Sequence, residues 1–275
     1  MMESFLITSR ETLEASLVVG VVLSYLGRTG QQKYNKVVYY GIGAGLILSL
    51  ISAFLFIIFA GGFEGKGEQL FEGITMLVAS ILLTTMILWM LRQHHIAKGI
   101  ESKVASHLAK AQMDSWGIWG LFFLVLLAVV TEGVETVIFL GAVSYTSGIN
   151  FVGGLLGVGV AITIGYLFFM GTRKVNLRKF FTISSMLLIL FAAGLVAHGI
   201  HEFEEAGVVP GIISPMWDTN NLIDEKSVFG SFLKGLFGYN GNPSLTEVGA
   251  YLAYVILIFG MYWRIDNFKR AMQKA

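Results

Sequence analysis

Two pairs of glutamates carry the chemistry that this sequence makes legible. Arg10-Glu11-Thr12-Leu13-Glu14 and Thr131-Glu132-Gly133-Val134-Glu135 each stand inside a long apolar run, with the two acids three residues apart. Residues i and i+3 share a helix face, so each run presents two carboxylates side by side. Ionised carboxylates are expensive in hydrocarbon; they turn to a bundle interior and mark an ion or proton path. Arg10 could instead staple two helices by pairing with Glu11 or Glu14, but one arginine cannot neutralise four glutamates. Four carboxylates without a sulfur ligand make a hard, oxygen-rich site, suited to iron, manganese, magnesium or calcium and ill suited to copper(I). With Arg10 the set sums to −3 when fully ionised. Clustered acids share protons when empty, so metal binding should release protons.

A second group lies further along the chain. His198, His201, Glu202 and Glu205 recur at helical spacing and form one stripe of imidazoles and carboxylates, a candidate outer capture site that Glu72 can join. The plainer alternative is a helix end whose polar groups snorkel to the interface. His94 and His95 are adjacent, point about 100° apart on a helix, and read as solvated residues of a basic loop.

The elements that position these residues follow from composition. The chain has 275 residues, 55% of them hydrophobic and 13% charged, and a mean hydropathy of +0.71. One soluble core cannot hide that much apolar surface, so a bilayer must. The 33 glycines fit helices packed closely on one another. There is no cysteine, which excludes disulfides, thiolate metal sites and cysteine nucleophiles. A net charge of +1 implies no nucleic-acid partner. The first apolar run lacks a basic leader and contains Arg10, Glu11 and Glu14, so it reads as a retained helix rather than a signal peptide.

Seven runs are long enough to cross a membrane: Phe5–Leu26, Val38–Ala60, Leu70–Leu91, Trp119–Tyr145, Phe151–Gly171, Phe180–Ile200 and Val248–Trp263. The expected fold is an all-α integral membrane protein of seven transmembrane helices forming one permease domain over residues 1–275. Between alternate runs lie Arg28, Lys33 and Lys36, then Arg92, Lys98, Lys103 and Lys110, then Arg173, Lys174, Arg178 and Lys179; the tail adds Arg264, Lys269, Arg270 and Lys274. This puts 15 of the 19 basic residues on one side. That side is cytoplasmic by the positive-inside rule, which sets the N-terminus out and the C-terminus in. Trp89, Trp116, Trp119, Tyr262 and Trp263 sit near span ends, as an aromatic belt does. The outer side is acidic, with Glu64, Glu68, Glu204, Asp218, Asp224 and Glu225 beside the stripe, and it attracts cations. The outer connection, about 201–243, has no clear periodicity apart from a short interfacial helix expected over Val228–Phe237.

A shift of 121 residues lays Glu11, Glu14 and Gly20 onto Glu132, Glu135 and Gly141. Three spans separate the copies, so the first and fourth spans run in opposite senses. This is the pattern of an inverted repeat: repeat one about 1–91, repeat two about 117–205, and a seventh span about 248–263. Its pseudo-twofold axis would bring the two pairs together near the membrane middle.

At these residues the chain resembles the oxidase-dependent iron permease family, which includes the high-affinity iron permeases of yeast and bacterial EfeU-type permeases. The family motif R-E-G-x-E in the first and fourth spans is matched by Arg10, Glu11 and Glu14, then by Glu132, Gly133 and Glu135. Phe71-Glu72-Gly73, Glu205-Ala206-Gly207, Phe237-Gly238-Tyr239 and Pro243-Ser244 match further family positions. Thr12 departs from the motif glycine, and Thr131 from the second motif arginine. The resemblance implies a multi-pass cell-membrane protein that carries iron, Fe²⁺ or Fe³⁺, into the cytoplasm. It further implies no cofactor and often an extracytoplasmic oxidase or iron-binding protein as partner. Metal ligands would be Glu11, Glu14, Glu132 and Glu135, supported by Arg10 and Thr131.

Two other readings compete. A permease for another divalent ion such as manganese uses the same ligands. A membrane-embedded carboxylate di-metal enzyme also draws glutamates and histidines from several helices, but no span contains the Glu-x-x-His pattern such sites carry. An ATP-driven pump is disfavoured by the lack of a Gly-x-x-x-x-Gly-Lys-Ser/Thr loop.

Overall fold

The computed structural model describes residues 1–92, 102–106, 116–169, 177–220, 222–225 and 227–274. His94, His95, Lys98, Lys110, Arg173, Lys174 and Lys226 lie outside the described residues. The architecture is all-helical. The long helices are α1 (Met2–Arg28), α2 (Asn35–Ala60), α3 (Lys66–Arg92), α4 (Trp116–Thr146), α5 (Phe151–Phe169), α6 (Leu177–Glu205) and α8 (Leu245–Lys274), with a short α7 (Val228–Phe237) in the connection between α6 and α8.

Each apolar run lies within one helix, the fifth as far as Phe169. Local chemistry explains the boundaries. The three prolines, Pro210, Pro215 and Pro243, all fall in the connection between α6 and α8, where no helical hydrogen bond is lost. Asn150 caps α5, its Oδ1 accepting from Gly153 N at 2.7 Å. Ser227 caps α7 in the same way, accepting from Gly230 N at 2.9 Å, and α7 stops at Gly238, whose φ of 66° is left-handed. A capping box opens α8: Ser244 Oγ accepts from Glu247 N at 3.1 Å, and Ser244 N donates to Glu247 Oε1 at 3.1 Å.

Among the described residues, six helices are long and apolar enough to cross a membrane, namely α2, α3, α4, α5, α6 and α8. The expected first span, α1, is not one of them. Its 27 residues reach about 40 Å, so length is not what separates it. Composition is, because Glu3, Arg10, Glu11 and Glu14 crowd its first half. Neighbouring helices cover that half: Glu3, Ser4, Leu6 through Glu11, and Leu13 are all buried. By contrast α2 and α5 show outward rows such as Leu46, Leu50, Phe54 and Ile57, or Phe151, Leu155 and Ile162. Such faces suit lipid.

The principal helix pairs are α1 with α5, α2 with α4, and α3 with α6, followed by α6 with α8 and α1 with α4. Glycines allow the first two pairs to approach. A Cβ at Gly45 would lie 2.8 Å from Val129 and 3.4 Å from Leu126 O; one at Gly41 would lie 3.1 Å from Phe122 O. On the other pair, a Cβ at Gly157 would run into Thr8 Oγ1 and lie 2.5 Å from Phe5 O, and one at Gly153 would lie 2.5 Å from Met1 O. Thr8 Oγ1 also donates to Gly154 O at 2.9 Å, and Asn150 N to Ser4 Oγ at 3.1 Å. The pair α3 and α6 meets at Gly73 and Gly199, beside Phe203.

Two apolar clusters hold the bundle. One joins Leu6, Ile7, Met76, Leu83, Phe139, Val143, Leu188 and Leu195; the other joins Val22, Leu26, Tyr34, Val38, Val104, Leu121, Val125 and Val129. On α1 the first cluster precedes Arg10–Glu14 and the second follows. On α4 the order is reversed, as in antiparallel helices. The glutamate pairs therefore occupy the gap between two dry clusters, which are the low-dielectric walls of the site.

Candidate metal centre

Glu11 and Glu14 stand on α1, Glu132 and Glu135 on α4, and the structure brings the two pairs together. Glu11, Glu132 and Glu135 each offer a carboxylate oxygen within 4.8 Å of the others. Glu11 is 1% exposed and, among the described residues, no basic, amide or hydroxyl donor reaches its oxygens, its close polar neighbour being the Glu132 carboxyl; Glu132 Oε2 and Glu135 Oε2 are likewise buried without such a donor. Native structures rarely leave such atoms unsatisfied without a reason, and the capacity to bind a cation is one. The fourth acid is placed differently. Glu14 Oε1 accepts from Arg10 Nε at 3.1 Å. Arg10 is itself fully buried, and its Nη1 and Nη2 have no partner among the described residues.

A cavity of about 380 Å³ opens beside this cluster, lined by Glu14, Thr131, Glu132 and Glu135 together with Leu82, Thr85, Met86 and Trp89 of α3. Thr131 thus lies on the cavity wall, as a residue one step before Glu132 can. Leu82 to Trp89 belong to the C-terminal part of α3, so the cavity extends from the glutamates towards the end of the bundle where the basic residues collect.

The outer stripe is divided by the structure. His198 is 8% exposed, and its Nδ1–H donates to Gly194 O at 3.0 Å within its own helix. His201 instead reaches across to α8: Nδ1 lies 3.1 Å from Glu247 Oε1, while Nε2 lies 3.3 Å from Glu205 Oε1. Glu205 also accepts from Gln69 Nε2 at 3.0 Å. Glu247, 2% exposed, accepts from Asn240 Nδ2 at 2.7 Å, and Glu204 accepts from Ser244 Oγ at 2.9 Å. His201, Glu204 and Glu247 each offer an atom within 4.8 Å of the others. Glu72 and Glu202 do not join that group; they lie with Glu68 and Glu205 as an acidic patch at the N-terminal end of α3 and the C-terminal end of α6.

Sequence reasoning passed over Glu247. Its signal was the Ser244-x-x-Glu247 capping box after Pro243, which reads as a helix start and not as a partner for a histidine 46 residues away.

Residues 1–265 match the Iron permease FTR1 family. The chain belongs to this family. Similar proteins include the ferrous iron permease EfeU of Yersinia pestis, 35% identical over 92% of this chain and 89% of the relative. That of Escherichia coli O6:K15:H31 (strain 536 / UPEC) is 33% identical over 92% and 91%. No solved structure matches the chain significantly. This iron permease is therefore a multi-pass membrane transporter and not an enzyme, which removes the di-metal enzyme reading. Its apolar helices and the buried charges of α1 are what such a transporter needs.

Proposed function

We propose that this permease carries iron into the cytoplasm by alternating access at a site built from Glu11, Glu14, Glu132 and Glu135. The observation that carries the reading is the set of buried carboxylate oxygens without N–H or hydroxyl donors among the described residues, drawn from two antiparallel helices to within 4.8 Å of one another beside a cavity. Oxygen ligands of this kind suit a hard or borderline cation. The relatives' name, ferrous iron permease, favours Fe²⁺ as the ion moved.

The full reading includes α1 as a seventh span, the basic side in the cytoplasm, and an inverted repeat. The pairing of helices supports the repeat. Exchanging the halves turns α1 against α5 into α4 against α2, and both pairs are principal contacts. The register agrees as well. Gly153 and Gly157 follow Gly41 and Gly45 by 112 residues, while the carbonyls they approach, Met1 and Phe5, precede Phe122 and Leu126 by 121. That 121 is the shift that superposes the glutamate motifs. A twofold related site near the membrane middle is where inverted-repeat transporters hold their cargo.

Glutamine keeps the shape of glutamate and an acceptor oxygen while removing the charge. E11Q, E14Q, E132Q and E135Q, each checked for delivery to the membrane, should each lower iron uptake by roughly tenfold or more, since each 1.4 kcal/mol lost is tenfold. Near-normal uptake by both E11Q and E132Q would remove the site from this account. Manganese and zinc in parallel assays test the choice of ion.

A further inference from the structure

We propose that Arg10 is the resident stand-in for the transported cation: its guanidinium holds Glu14 while metal occupies Glu11, Glu132 and Glu135, and swings onto those carboxylates when the metal leaves. The proposal rests on the reading of the preceding section and adds a step to it, the return of the carrier without cargo.

The geometry of Arg10 is the starting point. It is fully buried, and it engages Glu14 through Nε alone, at 3.1 Å. The two terminal nitrogens, the fork with which arginine binds carboxylates in bidentate fashion, are enclosed and unpaired. Also buried without an N–H or hydroxyl donor among the described residues are oxygens of Glu132, Glu135 and Glu11, the last following Arg10 directly on α1. Donors and acceptors of opposite charge thus lie buried in the same part of the bundle without a hydrogen bond between them. The charge of Arg10 acts on all four glutamates.

A cation and the guanidinium compete for the same acceptors. With a metal among the three carboxylates, like-charge repulsion drives the fork towards Glu14. Without it, three carboxylates within 4.8 Å repel one another; shared protons relieve part of that repulsion, and a guanidinium, which stays charged at any physiological pH, supplies a fixed compensating charge. Arg10 precedes Glu11 on α1, so it travels with the site. The equivalent position of the second motif, Thr131, carries no charge. The compensation therefore falls to Arg10.

The test separates the empty return from the loaded crossing. The purified full chain is placed in sealed proteoliposomes with Fe²⁺ kept reduced. Net uptake into metal-free vesicles requires empty return; exchange of labelled for unlabelled iron, with iron on both sides, does not. Arg10→Gln should lower the ratio of net uptake to exchange by roughly tenfold, and Arg10→Lys, which keeps the charge, should hold it within about threefold of the wild type. An Arg10→Gln variant whose two rates fall by the same factor, or whose net uptake is unaffected, overturns the proposal. If Arg10→Gln does not reach the membrane, the double variant Arg10→Gln/Thr131→Arg returns a guanidinium on the partner helix. A ratio within about threefold of the wild type supports the stand-in role, and one still tenfold down overturns it. Absence of any iron flux in the wild type would instead sink the parent reading.

Discussion

At the scale of single residues, the interior of the permease and one of its ends use glutamate in opposite ways. Glu11 is buried with no N–H or hydroxyl donor on its oxygens among the described residues, while Glu247 is buried with both engaged, by Ser244 N and His201 on one and Asn240 on the other. Glu247 is therefore satisfied as it stands, and its removal acts first on structure. Glu247→Ala should lower thermal stability in detergent by about 1 kcal/mol, the usual worth of a helix cap, with a further loss from the stranded His201. Equal melting of variant and wild type would show the capping box to be idle. Glu11, Glu14, Glu132 and Glu135 were legible in the sequence because a charge inside an apolar run is a local anomaly. The division of the outer stripe was not. His198 and His201 share a helix face, yet one is turned to Gly194 of its own helix and the other to α8, a difference set by where the returning chain crosses.

At the scale of elements, helices were readable and their partners were not. Hydropathy and the placement of prolines belong to a short stretch of chain, whereas the seating of α1 on α5 depends on residues some 150 apart. The repeat pattern of the two glutamate pairs hinted at an axis, but the sequence carried no statement that α1 would pair outside its own half. That exchange has a mechanical meaning. If α1 with α5 and α2 with α4 each move as one body, the carboxylates lie across the boundary between them. Gly165 faces Ser16 across the first pair, its Cβ position 3.2 Å from the Ser16 Cβ, close to the separation a disulfide spans. Ser16→Cys with Gly165→Cys, in a chain without native cysteine, should cross-link on oxidation and keep at least about half of the iron uptake, because a rigid body loses nothing by being tied together. Loss of uptake that reverses on reduction would show that α1 and α5 slide past each other.

At the scale of the whole molecule, topology turns on α1. With seven spans the termini lie on opposite sides of the membrane, and with six they share one. Single cysteines at Met2, Glu64 and Asp224 should react with an impermeant reagent from outside, and one at Lys103 only from inside. A Met2 position that labels solely from inside would reduce the count to six. The burial of the acidic half of α1 then bears on how the permease is made. A charged residue at a helix centre opposes insertion by about 2.5–3.5 kcal/mol, and α1 carries three such residues between positions 10 and 14. The helix on which α1 is principally seated, α5, reaches Phe169. At about 5–20 residues per second the ribosome needs roughly 7 to 28 s to reach it from Arg28. During that interval α1 lacks the helix on which it is seated, and its final packing waits for α5. The first helix to be synthesised is thereby among the last to settle, and the carboxylate site closes only after the second half of the chain has been translated.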